Sequence, residues 1–146
     1  MAHVKQIEPD IFIGGQIQPT GLAALAAAGI VALVNNRPDH EEPGQPTGEA
    51  LRAAAQAAGI AYIAAPIAGG IPPDALEALA KAHAAGPVLA FCKSGMRSAA
   101  AWAVLRASEG ADPNTLIAAA RAAGQELGGL RGLLVQAGRG QLSEQI

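Results

Sequence analysis

Three short apolar runs, at residues 30–34, 60–63 and 87–91, each follow closely on a stretch that reads as a helix, at 20–28, 47–58 and 74–85. Runs such as IVALV and PVLAF lack the polar alternation of a half-exposed strand and have the continuous apolar character of strands covered on both faces. Helix and strand repeat with connections of only a few residues. That order predicts an α/β domain built on a short, mostly parallel sheet with helices on both faces. Ligands in this architecture sit beyond the carboxyl ends of the strands. The loops after Val34, Ile63 and Phe91 are therefore expected to meet there. The polar segment 35–46 and the loop that begins at Cys92 become neighbours in space.

The remaining elements follow from punctuation. Residues 4–16 read as two short strands around a turn at Glu8-Pro9-Asp10, and Thr20 is a candidate N-cap. The segment NNRPDHEEPGQP, 35–46, is a loop by its prolines, glycine and acids. Gly59 closes the second helix, and two prolines followed by Asp74 open the third. A helix runs from the cysteine loop to about residue 109. Asp112-Pro113 opens another to about 123, and a last one covers 126–137. The tail from 138 is expected to fray. No segment is long or biased enough to be a linker, so residues 1–146 form one domain.

Composition restricts function by exclusion. A formal charge of −2 gives no general electrostatic reason to expect nucleic acid or an anionic membrane as partner. Anion binding must then be local. A single cysteine excludes an internal disulfide, and neither a metal cluster nor a cofactor motif is legible. The first residues do not read as a signal peptide, and no apolar run is long enough to span a bilayer. The expected compartment is the cytoplasm.

That one cysteine lies in Phe91-Cys92-Lys93-Ser94-Gly95-Met96-Arg97-Ser98, between the last apolar strand and an alanine-rich helix. A strand, a tight turn and a helix start make an anion site, because turn N–H groups and the helix dipole converge there. Cys92 is the candidate nucleophile. Arg97 is the candidate oxyanion holder, with its planar fork of donors. Lys93, Ser94, Gly95, Met96 and Arg37 are candidate anion-binding residues, and the Ser98 hydroxyl either supports the thiolate or caps the helix. Asn35 and Asn36 read as braces of the first loop. With no second cysteine in the chain, an external thiol must clear any group that Cys92 accepts.

The stretches Asn35-Asn36-Arg37-Pro38-Asp39 with residues 41–46, and residues 86–98, together resemble the phosphatase-like domain of the beta-lactamase-hydrolase-like family, also described as a proposed sulfurtransferase. The resemblance runs from about residue 4 to 134 and implies a dual-specificity cysteine-phosphatase fold. In some relatives the domain is fused to a persulfide dioxygenase, which the resemblance makes a candidate partner. Tyrosine and dual-specificity phosphatases place five residues between cysteine and arginine. Here four separate Cys92 from Arg97, as in rhodanese loops. Phe91 stands where phosphatases usually carry histidine, and the loop 66–73 has no acid. Asp39 is the remaining candidate general acid. The leading expectation is sulfane-sulfur transfer through a Cys92 persulfide, from thiosulfate or a persulfide. The alternative is hydrolysis of phosphate esters through a cysteinyl-phosphate, and the third is an anion-binding module without turnover.

Overall fold

The computed structural model describes residues 3–140. Five strands form one sheet in the order β1-β2-β5-β3-β4. They are β1 (Val4–Glu8), β2 (Ile11–Gly14), β3 (Ala32–Asn35), β4 (Ala61–Ala64) and β5 (Val88–Phe91). β1 pairs antiparallel with β2 across the expected tight turn, where Asp10 takes a positive φ of 67°. All other pairings are parallel. β5 is central, with Phe91 opposite Gly14 on one side and Asn35 on the other. That register brings the ends of β2, β3 and β5 to one level, so the three loops leave the sheet side by side.

Six helices cover the sheet: α1 (Leu22–Ala27), α2 (Gly48–Ala58), α3 (Pro73–Ala84), α4 (Met96–Ser108), α5 (Pro113–Ala122) and α6 (Arg131–Gly138). Side chains alternate across the strands. Leu33, Leu89 and Phe91 pack with Leu22, Leu25 and Leu51 on the α1–α2 side. Val34, Val88 and Ala90 face the larger core under α3 to α6. The alanine run of α4 is what lets that helix sit buried on nearly every side, its backbone close to its neighbours. Trp102 anchors it, 2% exposed, with its indole N–H donating to Glu8 at 2.6 Å. Burial pushes the Glu8 carboxyl up, but hydrogen bonds from Arg106 and Trp102 outweigh it and leave the group below its ordinary value.

Two boundaries differ from the sequence reading. Thr20 does not cap a helix: a 3-10 turn covers Pro19–Gly21, and α1 begins at Leu22 with Gly21 at its N-cap. The last helix is split into a 3-10 turn at Gly128–Leu130 and α6, where adjacent glycines at 128 and 129 weaken helical continuity. The expected caps elsewhere are present, Thr47 on α2, Gly59 in the left-handed region after it, and Asp112 on α5. Part of the tail expected to fray, 141–146, lies outside the described residues.

Candidate active site

Cys92 directly follows β5 and is completely buried. Its N–H donates to the Gly14 carbonyl at 3.3 Å, and the Gln16 N–H donates to the Lys93 carbonyl at 3.2 Å. On the other side the Asn36 N–H donates to the Phe91 carbonyl at 2.8 Å. The base of the loop is thus tied to extensions of both neighbouring strands. The chain then turns at Gly95, whose φ of 98° favours glycine, and its N–H donates back to the Cys92 Sγ at 3.1 Å. A Cβ at Gly95 would stand 2.7 Å from Gln125 Nε2, which itself donates to the Ser94 carbonyl at 3.0 Å. Gln125, far along the chain, was not a candidate from sequence, yet it holds the outside of the loop.

Arg97 lies in the first turn of α4. Both terminal nitrogens bind Glu41, Nη1 to Oε2 at 2.7 Å and Nη2 to Oε1 at 3.0 Å, and Nη1 also donates to the Ile67 carbonyl at 2.9 Å. Hydrogen bonding to Glu41 raises its pKa, with the Cys92 thiol adding to the effect. Glu41 takes the Nη1–Nη2 end of the fork and leaves the Nε edge for another acceptor.

Arg37, one of the anion-binding candidates, is turned onto acceptors of the protein itself. It is 6% exposed, and all three of its nitrogens are taken: Nε by Glu41 at 2.9 Å, Nη1 by Gln16 at 2.9 Å and Nη2 by Glu42 at 2.6 Å. Lys93 contacts Glu42 at 3.1 Å. The acids are aimed by Gln45, whose Oε1 accepts from the N–H groups of both Glu41 and Glu42 while its amide donates to the Pro38 carbonyl. Glu41 and Glu42 are not among the candidate site residues named from sequence. A pair of acids in a loop that the topology lays against a cationic turn was the available signal.

Ser98 neither caps α4 nor gives its hydrogen to Cys92. It is fully buried, donates to Asn36 Oδ1 at 2.7 Å, and the N-cap position belongs to Gly95. Asn36 in turn donates to the Ala65 carbonyl, and Asn35 to the Tyr62 hydroxyl, so both asparagines brace the loop as expected. Asp39 accepts from the Gly48 N–H at 2.8 Å, at the positive end of α2. It faces a cavity of about 200 Å³ with Arg37, Pro38, Tyr62 and Pro66, to which the cysteine loop contributes no wall. Beside Ile67 runs an apolar groove of about 570 Å³ lined by Pro38, Pro66, Ala68, Ile71, Pro72 and Pro73.

The two arginines hold the Glu41 carboxyl down to about 2, Arg97 more strongly than Arg37. An unfolded glutamate titrates near 4.3. A depressed value means that Glu41 contributes fully above the unfolded value and loses its contribution as pH falls towards 2. Wild type is therefore expected to lose stability between about pH 4.5 and 2 more steeply than Glu41→Gln. Urea melts at several pH values check this. Parallel curves would show that the carboxylate does not hold the site.

The fold and the cysteine loop define a cysteine-phosphatase-like domain. Residues 3–109 match the phosphatase-like domain of beta-lactamase hydrolase-like proteins, and the chain belongs to that family. A beta-lactamase hydrolase-like protein of Agrobacterium fabrum is 36% identical over 111 residues, covering 72% of this chain and 25% of the relative. The chain thus spans about a quarter of the length of the curated relatives it matches. A crystal structure from Neisseria meningitidis, described as a candidate phosphatase, superposes with a TM-score of 0.81 at 30% identity over 94% of this chain and 99% of that one. TpbA of Pseudomonas aeruginosa, solved as a cysteine-to-serine variant with phosphotyrosine, shares the fold at a TM-score of 0.66 and 16% identity, over 96% and 90% of the two chains. The family description and the name of the Neisseria structure speak of a phosphatase; sulfur transfer is in none of these names. Among the described residues, no helix is long and apolar enough to cross a membrane.

Proposed function

We propose that the domain transfers sulfane sulfur through Cys92, from a small donor to an external thiol. One observation carries this reading: the carboxylates at the cysteine loop are committed to cations, and none is placed to give a proton. Glu41 is fixed on two arginines and stays ionised down to about pH 2, and Glu42 is held below its ordinary value by Lys93 and then Arg37. Hydrolysis of a phosphate monoester needs a proton for its leaving oxygen. Sulfane transfer expels sulfite or a thiolate, which leaves as a stable anion.

With thiosulfate, the Cys92 thiolate attacks the outer sulfur, the S–S bond of the donor breaks, and sulfite departs with the electron pair. An acceptor thiolate then attacks the outer sulfur of the Cys92 persulfide, regenerating the Cys92 thiolate and releasing a new persulfide. The four-residue spacing from Cys92 to Arg97 and the Gly95 N–H on Sγ suit a ring closed about sulfur. Incubation with thiosulfate or a persulfide is expected to add one sulfur atom to Cys92 in the intact mass, removable by a thiol. Absence of both the adduct and thiol-dependent turnover would sink the proposal.

The second reading is phosphate-ester hydrolysis through a cysteinyl-phosphate. The family description and the fold shared with TpbA favour it. It requires aryl-phosphate hydrolysis that vanadate inhibits, with water or Asp39 supplying the proton. Inactivity across several phosphate esters would remove it.

A further inference from the structure

Three cations surround the loop that carries Cys92, and two carboxylates already occupy them. Arg97 is forked onto Glu41, Arg37 donates from each of its nitrogens to Glu41, Gln16 and Glu42, and Lys93 rests on Glu42. The five side chains carry one net positive charge, which a Cys92 thiolate cancels. A dianion arriving here must either displace a carboxylate from its arginine or sit beside it uncompensated. Gln45 ties the backbone N–H groups of both acids. An incoming group is left with the Nε edge of Arg97 and little backbone, since the N–H groups of Gly95 and Met96 already donate to Cys92 Sγ and Ser94 Oγ. That is enough for one charge. The second observation is the apolar groove beside Ile67, whose carbonyl binds Arg97. An inorganic donor has nothing to put there, whereas an organic one has its carbon chain.

We propose that Glu41 and Glu42 act as a charge filter, so that the donor is the persulfide of a small organic thiol, with dianions such as thiosulfate and phosphate monoesters disfavoured. The proposal rests on the sulfur-transfer reading and narrows its substrate. In the step, the Cys92 thiolate attacks the outer sulfur of RSSH. The donor S–S bond breaks, RS⁻ leaves with the electron pair, and Cys92 keeps the sulfur as Cys92–S–SH. One disulfide-type bond is exchanged for another, with no outside oxidant and no proton donor. The carbon chain R lies along the groove of Pro38, Pro66 and Ile71.

The test follows the rate at which iodoacetamide alkylates Cys92 while sulfate or nitrate is titrated, a readout that needs no turnover. Wild type is expected to be protected poorly by sulfate. Glu42→Gln should strengthen sulfate protection about tenfold, with nitrate changed by less than about twofold and Glu42→Asp restoring the wild-type pattern. The ratio of kcat/KM for thiosulfate to that for 2-hydroxyethyl persulfide should rise in Glu42→Gln by a similar factor. Equal sulfate protection of wild type and Glu42→Gln overturns the filter, whatever the enzyme turns over. A wild type that prefers thiosulfate to the organic persulfide overturns the donor assignment. Failure of every donor to place sulfur on Cys92 overturns the sulfur-transfer reading itself, and the alkylation result then judges the filter separately.

Discussion

Replacing Cys92 by serine is expected to end turnover while leaving the domain folded and its affinity for small anions in place. Cys92 occupies a closed position at the end of β5, and a serine fits the same volume, with its oxygen available to accept the Gly95 N–H that Sγ now accepts. The ties at its own N–H and at Lys93 and Phe91 are backbone bonds and do not change. What is lost is the thiolate, the only cysteine sulfur in the chain able to carry a transferred group. A fall in rate of roughly 10³-fold or more is expected. Donor-plus-thiol turnover, intact mass, thermal melting and sulfate titration of the variant decide the matter together. Turnover above about a tenth of wild type would remove Cys92 from the chemistry. A melting temperature lowered by more than about 5 °C would make it a packing residue instead.

Much of this site is legible in the sequence. The apolar runs at 30–34 and 87–91 read as strands buried on both faces, and β3 and β5 are, while 60–63 leads into the half-exposed edge strand β4. The meeting of segment 35–46 with the cysteine loop followed from that topology. The structure realises it as the contact between Glu41 and Arg97, 56 residues apart. What sequence left open is which acceptor each donor chooses. Arg37 carries a charge that suits substrate as well as it suits Glu41, Glu42 and Gln16, and only the fold of the loop around Gln45 decides for the carboxylates. Ser98 stands three residues beyond the N-cap Gly95, where either cap or thiolate is within reach of the pattern. Its actual partner, Asn36, arrives from another strand. Gln125 is set between glycine and glutamate in an irregular segment and carries no periodic signal at all, although Gly95 could not tolerate a side chain beneath it. Local rules read the backbone well because hydrogen-bond accounting and burial leave few alternatives. Long polar side chains have many, and their choice is tertiary.

Changing Arg97 to lysine should be the most damaging substitution that keeps the charge of the site. One planar group now serves three acceptors at once, the two Glu41 oxygens and the Ile67 carbonyl. An ammonium is a point charge on a flexible stem and holds no such plane. Placed here it follows Glu41 outward and leaves the mouth of the loop without a fixed donor. Removal of one preorganised donor from developing charge lowers rates by about 10²–10³-fold, and kcat/KM of Arg97→Lys is expected to fall by that order. The loss should divide unequally. Sulfate protection of Cys92 from alkylation weakens modestly, because one positive charge remains, while kcat falls most, because orientation is what was removed. Glu41→Gln supplies the complementary case: it keeps one acceptor for the fork and the guanidinium itself, so its kcat should lie between wild type and Arg97→Lys. A lysine variant within about tenfold of wild type would mean that charge alone suffices, and that the fork between Glu41 and Ile67 organises the loop without organising the reaction.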